Sequence, residues 1–299
     1  MNLSICVITM NRARQLSEAL HSCLACELPT NTEFVIIDNA STDDTESVVR
    51  TVLGDCGYPY YYERLAENAG VGGGRNYAYE KATGDVAYML DDDAVIDVEH
   101  NSDFFLHALD MLEKHPSVVT LTTQIYDTAW KKNRVEVGGP KITEGLYKCQ
   151  MFCGGSHFLR KSFFTSAPYL PNKYGYEEIP PSLRAMNAKK INAFCPELLI
   201  IHQPANNKWD WSEEKNRQLL FNGMGYPYAI KKMMYPVIAR PLLKLANKRR
   251  MKIYLSDIEN ADQKVKEAAD NFCRDYPISE KIKFTTLLRM FLDFKLSVF

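Results

Sequence analysis

Residues 86–93 read VAYMLDDD, an apolar run that leads directly into the carboxylates of Asp91, Asp92 and Asp93. A short apolar run bounded by polar residues is typical of a buried strand. Three adjacent carboxylates repel one another unless a cation or solvent relieves their charge. Oxygen ligands of this kind suit Mg²⁺ or Mn²⁺, so the stretch predicts a strand that ends in a divalent-metal site. A solvated acidic turn is the alternative.

The residues before this stretch alternate between strand patterns and helix patterns. Strand patterns occupy residues 3–9, 33–37, 60–64 and 86–90. Helix patterns occupy residues 12–26, 42–53 and 74–83. This alternation predicts a doubly wound α/β fold, with a mostly parallel twisted sheet flanked by helices. Ligands of such sheets bind beyond the carboxyl ends of the strands.

Polar residues also follow two of the other predicted strands. Thr9, Asn11 and Arg12 come at the end of the first strand, and Asp38 and Asn39 come after the second. Each group alone is explained as well by a turn or a helix cap. Because the carboxyl ends of parallel strands meet at one edge of a sheet, the three polar segments together favour a single binding crevice.

The order of four polar motifs resembles that of family 2 glycosyltransferases with the GT-A fold. The motifs are TMNR at residues 9–12, DNAS at 38–41, NAGVGGGRN at 68–76 and DDD at 91–93. The resemblance implies a GT-A fold, also called the nucleotide-diphospho-sugar transferase fold, with a helical C-terminal extension. A looser resemblance of residues 218–236 to rhamnosyltransferase-like bacterial members points to a dTDP-rhamnose donor.

The resemblance also implies roles for individual residues. Asp93 would ligate the metal ion, Asp91 would face the ribose or the sugar, and Arg75 would approach the base or the diphosphate as a planar donor. The residues implied in nucleotide binding are Thr9, Asn11, Arg12, Asp38, Asn39, Arg75, Asp91 and Asp92. The glycines within residues 70–74 would permit close backbone approach in a loop before a helix. A dinucleotide-binding fingerprint would instead follow the first strand and carry glycine where Arg75 stands.

A transfer that inverts the anomeric centre requires a base for the proton of the acceptor hydroxyl. Residues 174–184 (YGYEEIPPSLR) resemble the Glu-Asp motif of the family. This register makes Glu178 the catalytic base and Glu177 its neighbour at the donor or acceptor sugar. A surface glutamate pair that caps a helix is the alternative.

Two further segments resemble parts of the same site. Gly154 and Gly155 belong to residues 153–161, which are similar to the glycine-containing segment near the donor sugar. His202 follows the apolar run 198–201, where the family often carries a histidine that completes the metal or diphosphate site. A plain turn and a structural histidine are the alternatives.

The composition excludes several other classes of protein. The net charge of -1 gives no general attraction to polyanions, so no nucleic-acid partner is expected. No apolar run reaches the roughly 20 residues that span a bilayer. The N-terminus lacks a signal-peptide pattern, so the eight cysteines are interpreted as reduced thiols of a cytoplasmic protein. Cys23 and Cys26 form a C-x-x-C in a helix pattern, which favours core packing over metal or redox chemistry.

The chain is predicted to contain a catalytic domain at residues 1–210 and a helical extension at 211–299. The catalytic domain would comprise a nucleotide-binding half (1–98) and an acceptor-binding half (99–210). Residues 231–252 carry eight basic residues and no acidic one, and residues 284–299 are mainly apolar. These two segments predict contact with an anionic membrane surface or a lipid diphosphate, on the inner face of the cell membrane. A solvated helix face is the alternative.

The predicted function is an inverting, metal-dependent transfer of a sugar from a UDP or dTDP sugar to a hydroxyl acceptor. The acceptor would be a saccharide or a lipid-linked saccharide, in bacterial surface polysaccharide or glycoconjugate synthesis. One alternative is a nucleotidyltransferase, which ordinarily has a glycine-rich loop after its first strand, whereas residues 9–15 contain no glycine. The other is a non-catalytic protein that binds sugar nucleotides.

Overall fold

The computed structural model of the 299-residue chain describes residues 1–204 and 214–299. The described residues divide into two compact units. Residues 1–185 and 190–204 form the first unit, and residues 186–189 and 214–299 form the second. The part of the helical extension predicted for residues 211–213 lies outside the described residues.

Strands and helices alternate along the first part of the chain. The strands are β1 (Leu3–Thr9), β2 (Thr32–Asp38), β3 (Tyr60–Arg64), β4 (Val86–Asp91), β5 (Ala94–Ile96), β6 (Val118–Asp127), β7 (Lys132–Asn133), β8 (Lys141–Thr143), β9 (Leu146–Lys148), β10 (Ser156–Arg160) and β11 (Ile191–His202). The helices between them are α1 (Ala13–Leu24), α2 (Thr45–Leu53), α3 (Gly70–Lys81), α4 (Phe104–Lys114) and α5 (Ile179–Asn187).

One mixed sheet runs through the first unit in the order β3-β2-β1-β4-β10-β6-β11-β9-β8. Strands β3, β2, β1 and β4 are parallel to their neighbours, and β11 is parallel to β6. Strand β10 lies between β4 and β6 and is antiparallel to both. The predicted α/β fold, with a mostly parallel sheet flanked by helices and a helical C-terminal region, is confirmed.

The central strands are apolar on both faces because both faces of the sheet are covered. Leu3, Ile5 and Val7 of β1 belong to one buried cluster, whereas Cys6 belongs to another. Alternate residues of a strand point to opposite faces, so each cluster fills one side of the sheet. The eight cysteines, which all lie within the described residues, are free thiols, and the Cys23 side chain is fully buried as predicted.

Helix α3 begins at Gly70, so the prediction of a helix that starts at Gly74 was wrong. Gly70 has a φ of +76°, a conformation that favours glycine. A Cβ atom on Gly72 would lie 1.9 Å from the carbonyl oxygen of Leu170. The glycines therefore allow the first turns of the helix to pack against residues 170–173, rather than forming a loop before it.

The second unit is helical. Its elements are α6 (Glu214–Met234), the 3-10 helix η1 (Val237–Ala239), α7 (Arg240–Tyr254), α8 (Ala261–Asp275), α9 (Phe284–Phe294) and the 3-10 helix η2 (Lys295–Val298). Phe221 of α6 packs with Val265 and Ala268 of α8 in its apolar core. Helix length and hydropathy together rule out a membrane-crossing helix within residues 1–204 and 214–299.

One member of the predicted basic segment lies inside the second unit. Lys231 is only 8% exposed, so it does not contribute to a basic surface, contrary to the prediction for residues 231–252. Burial lowers the pKa of Lys231 to about 7, and the nearby charge of Arg250 adds to the effect. Helix α6 turns this residue inward, which a count of charges along the sequence does not reveal.

Candidate active site

The structure brings the polar residues at the ends of β1, β2 and β4 together at one edge of the sheet. The Thr9 hydroxyl donates a hydrogen bond to Asp92 Oδ2 (2.7 Å), which joins β1 to the acidic cluster. The Asn11 amide donates to Ser41 Oγ (2.9 Å), and Asn11 Oδ1 accepts from the Thr42 amide (2.7 Å). The polar strand ends therefore meet at one edge of the sheet, as the sequence predicts, and they are hydrogen-bonded to one another.

Arg12 neutralises part of the acidic cluster. Its Nη1 atom lies 2.7 Å from Asp92 Oδ1 and 2.7 Å from Asp93 Oδ2. Burial raises the pKa of Asp92 to about 6, although Arg12 and the Thr9 hydroxyl act in the opposite direction. Asp92 thus faces the protein, while Arg12 remains partly exposed at the rim of the crevice.

Asp91, Asp93 and His202 form a group that fits a divalent metal ion. One side-chain ligand atom from each residue lies within 4.8 Å of the other two. His202 Nε2 is 3.1 Å from Asp93 Oδ1. Two carboxylates and an imidazole suit Mn²⁺ or Mg²⁺ that also binds phosphate oxygens. A Cβ atom on Gly155 would come 3.1 Å from Asp91 Oδ2, so glycine keeps that side of the carboxylate open.

The Nδ1 atom of His202 contacts Asp127 and Arg134, neither of which was predicted as a site residue. Asp127 Oδ2 lies 3.2 Å from His202 Nδ1, and Arg134 Nη2 lies 3.0 Å from the same nitrogen. Asp127 Oδ1 accepts from the amides of Ala129 (2.9 Å) and Trp130 (3.0 Å). The strand-end pattern that found the other acids would have found Asp127, because it is the last residue of β6.

The carboxylate of Asp127 stays ionised in this setting. Burial alone would raise its pKa, but the Trp130 amide, Arg134 and His202 outweigh that effect and hold the pKa below its usual value. Arg134 also donates to Asp127 Oδ2 from Nε (2.7 Å) and lies under the Trp130 ring, 5.0 Å from its centroid. An ionised Asp127 can accept a hydrogen bond from a protonated His202 Nδ1, which leaves the lone pair of His202 Nε2 for a metal ion.

Arg75 joins the acidic cluster to the Glu177-Glu178 pair. Its guanidinium is 4% exposed and lies between two carboxylates, with Nη2 2.6 Å from Asp91 Oδ1 and Nη1 paired with Glu177. A Cβ atom on Gly154 would lie 2.8 Å from Arg75 Nη1. Glycine at position 154 therefore leaves room for this buried ion pair, and a Cβ atom there would require the guanidinium to shift.

Glu178 is a buried carboxylate with an unused oxygen. Glu177 and Glu178 are both buried, so the alternative of a surface glutamate pair is wrong. Among the described residues, Glu178 Oε2 has no hydrogen-bond partner. Burial raises the pKa of Glu178, and the negative charge of Glu177 raises it further. Such a carboxylate is a stronger base than an exposed glutamate.

Asp38 and Asn39 lie below the surface of the crevice. Asp38 Oδ1 accepts from the Ser41 amide (2.7 Å), and Asp38 Oδ2 accepts from the Tyr62 hydroxyl (2.8 Å). Asn39 donates to the Gly70 carbonyl (3.3 Å) and packs against α3. Both residues hold the β2 end in shape, and their predicted contact with the nucleotide stays a prediction.

The comparisons with known proteins agree with this architecture. The model of glycosyl transferase family 2 matches residues 4–165, more than half of the chain, and the chain belongs to this family. An uncharacterized glycosyltransferase of Nostoc sp. is 29% identical over 157 residues, which is 49% of this chain and 44% of that protein. The uncharacterized glycosyltransferase YfnE of Bacillus subtilis is 30% identical over 115 residues, 38% of this chain and 26% of that protein. The chain thus spans less than half the length of either relative.

Solved structures share the fold at low sequence identity. Residues 1–349 of TarS from S. aureus, in complex with UDP-GlcNAc, superpose with a TM-score of 0.65 at 16% identity, covering 93% of this chain and 82% of that one. The mannosyltransferase PcManGT from Pyrobaculum calidifontis, in complex with GDP-Man and Mn²⁺, gives 0.60 at 17% identity, with 100% and 81% covered. The fold is GT-A, and family and fold together support sugar transfer from a nucleotide sugar.

Proposed function

We propose that this protein is an inverting, divalent-metal-dependent glycosyltransferase that acts on a nucleoside diphosphate sugar. The observation that carries the proposal is the group formed by Asp91, Asp93 and His202, linked through Arg75 to the buried pair of Glu177 and Glu178. A metal and diphosphate site at a strand end, beside a carboxylate of raised pKa, is the set of groups that a single displacement at a sugar carbon requires.

Asp91, Asp93 and His202 would hold Mn²⁺ or Mg²⁺. When bound, the ion supplies positive charge that stabilises the diphosphate leaving group. Arg12 lies beside the same carboxylates and adds a second positive group at the rim. Thr9, Asn11, Asp38, Asn39, Arg75 and Asp92 shape the nucleotide pocket around this centre.

Glu178 acts as the general base. It accepts the proton of the acceptor hydroxyl while that oxygen bonds to the anomeric carbon, and the bond from that carbon to the diphosphate oxygen breaks. Attack from the face opposite the leaving group inverts the anomeric configuration. The free Oε2 atom of Glu178 and its raised pKa support this role. Gly154, Gly155 and Glu177 line the path of the sugar next to it.

The donor would be a UDP or dTDP sugar of the hexose or deoxyhexose class, and the loose resemblance of residues 218–236 to rhamnosyltransferase-like members favours a deoxyhexose. Residues 1–98 would bind the nucleotide and residues 99–210 the acceptor. We propose a saccharide or lipid-linked saccharide as acceptor, in surface polysaccharide or glycoconjugate synthesis. The protein would act in the cytoplasm, peripherally attached to the inner face of the cell membrane.

Release of free nucleoside diphosphate from a panel of UDP, dTDP and GDP sugars, with and without Mn²⁺, tests the proposal. The wild-type protein should release UDP or dTDP in the presence of metal. Glu178→Gln should keep donor binding, measured as a thermal shift, and lose transfer. Formation of a nucleoside triphosphate and a sugar 1-phosphate when pyrophosphate is added to the sugar nucleotide would instead indicate a nucleotidyltransferase. Binding of a sugar nucleotide without any reaction would indicate a non-catalytic protein.

A further inference from the structure

The second unit exposes two apolar stripes, both surrounded by basic residues. The first stripe, on η1 and α7, consists of Val237, Ile238, Leu242, Leu245 and Ile253. The second stripe, on α9 and η2, consists of Phe284, Leu288, Phe291, Leu292 and Leu296. These residues are between 40% and 70% exposed, so each stripe offers several apolar side chains to whatever lies outside.

Helix α9 is apolar on two sides. Leu287, Met290 and Phe294 are buried and anchor the helix to its own unit. The residues of the second stripe that lie on α9 recur at positions 284, 288, 291 and 292, a spacing that places them along another face of the same helix. A helix of a water-soluble protein would normally carry polar residues there, so this face is built to be covered.

Both stripes belong to the same region of the second unit. The Ile282 amide, before α9, donates to the carbonyl of Met234 (2.8 Å). The Tyr235 hydroxyl donates to the carbonyl of Val298 (2.7 Å), at the end of η2. The segment that carries the second stripe is therefore fixed at both ends beside residues 234–235, which directly precede the first stripe.

The charges around the stripes have one sign almost throughout. Lys248, Arg249 and Lys252 are exposed on α7 between members of the first stripe. Lys281, Lys283 and Lys295 are exposed before and after the α9 face. Residues 231–252 contain no acidic residue, and Asp293 is the one acid between residues 281 and 299.

We propose that the two stripes and their basic residues form a docking surface for an anionic lipid bilayer. A bilayer surface offers apolar chains to the leucines and phenylalanines and negative headgroups to the lysines and arginines. A second copy of the chain, paired symmetrically, would bring one positive surface against another. Helix α9 has 11 residues, too few to cross a bilayer, so it lies along the interface. This inference extends the membrane location given under the proposed function.

Flotation of the full chain with lipid vesicles tests the docking surface. We expect the wild-type protein to float with vesicles of phosphatidylcholine and phosphatidylglycerol, and less with phosphatidylcholine alone or at high salt. Leu288→Glu combined with Leu292→Glu should lower the partition coefficient by more than about tenfold. Charge reversal of Lys248, Arg249 and Lys252 should lower it by at least about a hundredfold, since each basic residue near the surface contributes about fivefold.

Matched substitutions elsewhere control for these changes. Leu106→Glu replaces an exposed leucine of α4, and Lys190→Glu reverses an exposed charge of the first unit. Both should float like the wild type. Leu245→Glu tests the first stripe separately, and circular dichroism with thermal unfolding checks that each variant is folded.

Three results would overturn the docking surface. The first is that the wild-type protein does not float with anionic vesicles at low salt. The second is that folded stripe variants float as well as the wild type. The third is that the wild type is a dimer in solution and the stripe variants are monomers. Nucleotide-sugar binding is measured on the same samples. If the protein floats with vesicles but binds no sugar nucleotide, only the proposed catalysis is contradicted. If it binds a sugar nucleotide but does not float, only the docking surface is contradicted.

Discussion

Removal of the Asp127 carboxylate should weaken metal binding, although Asp127 is not one of the three grouped ligands. Asp127 and Arg134 both approach His202 Nδ1, at 3.2 and 3.0 Å. They favour opposite tautomers, since a carboxylate accepts a hydrogen bond from a protonated Nδ1, whereas a guanidinium donates a hydrogen bond to an unprotonated Nδ1. The tautomer that Asp127 favours leaves a lone pair on Nε2, which lies 3.1 Å from Asp93 Oδ1. In Asp127→Ala the guanidinium remains, and the proton moves to Nε2.

Loss of an outer partner of a metal-bound histidine typically lowers metal affinity by about 10- to 100-fold, or about 1.4–2.8 kcal/mol. Because the tautomer is also inverted, we expect Asp127→Ala near the upper value. The electron paramagnetic resonance signal of free Mn²⁺ gives the dissociation constant without any turnover. Asp97→Ala is the matched control, since Asp97 bonds the exposed His100 at 2.9 Å.

Removing the competing donor provides a second arm of this experiment. The double variant Asp127→Ala with Arg134→Ala should bind Mn²⁺ more tightly than Asp127→Ala alone, because nothing then holds the proton on Nε2. Wild-type affinity in a folded Asp127→Ala protein would refute the reasoning. Equal affinities of the single and double variants would show that Arg134 does not compete for His202.

Four further predictions concern Glu178, Gly72 and Lys231. Glu178 must be ionised to act as a base, and its pKa is raised. We therefore expect kcat/KM to increase with pH above the range in which an ordinary glutamate titrates. A pH-rate profile that is flat from about pH 5 upward would contradict this. Because the pKa of Glu178 is raised in the folded state, the free energy of unfolding of the wild type falls as the pH rises and the buried carboxyl group ionises. Glu178→Gln avoids this cost, so it should unfold at a higher temperature than the wild type at about pH 8 and at a similar temperature at about pH 4. Gly72→Ala should lower the free energy of unfolding, measured in urea, by about 2 kcal/mol or more, because its Cβ atom would overlap the Leu170 carbonyl oxygen. Gly138→Ala is the control and should not lower it, because a Cβ atom there would have no other atom nearer than 3.8 Å. Lys231→Met removes a buried amine whose pKa is lowered to about 7. It should stabilise the protein on the order of 4 kcal/mol at about pH 7 and much less near about pH 10.5, where the lysine is neutral in the folded state and half protonated in the unfolded state. Equal stabilisation at the two pH values would argue against a depressed pKa.

The sequence predicted those parts of the candidate site that follow from the pattern of neighbouring residues along the chain. Apolar runs that end in polar residues identified β1, β2 and β4 and the crevice at their ends, because burial on both faces of the sheet makes such strands continuously apolar. His202 was found for the same reason. Asp127 satisfies the same rule as the last residue of β6, although it was not among the predicted site residues.

Other features depend on contacts between distant parts of the chain. The start of helix α3 at Gly70 packs against residues 170–173, which leave room only for glycine there. Lys231 points inward because of the way α6 packs, not because of its neighbours in sequence. The pairing of Arg75 with Glu177 joins residues 102 positions apart, and no local pattern contains that information.

The guanidinium of Arg75 has a consequence for how this site can evolve. Its Nη2 atom pairs with Asp91 and its Nη1 atom with Glu177, so loss of either acid removes the partner of one nitrogen of a buried guanidinium. Double substitutions among the three should therefore show strong epistasis instead of additive effects. Lineages that lose one member are expected to change the other two as well, and the trio should be inherited as a single block.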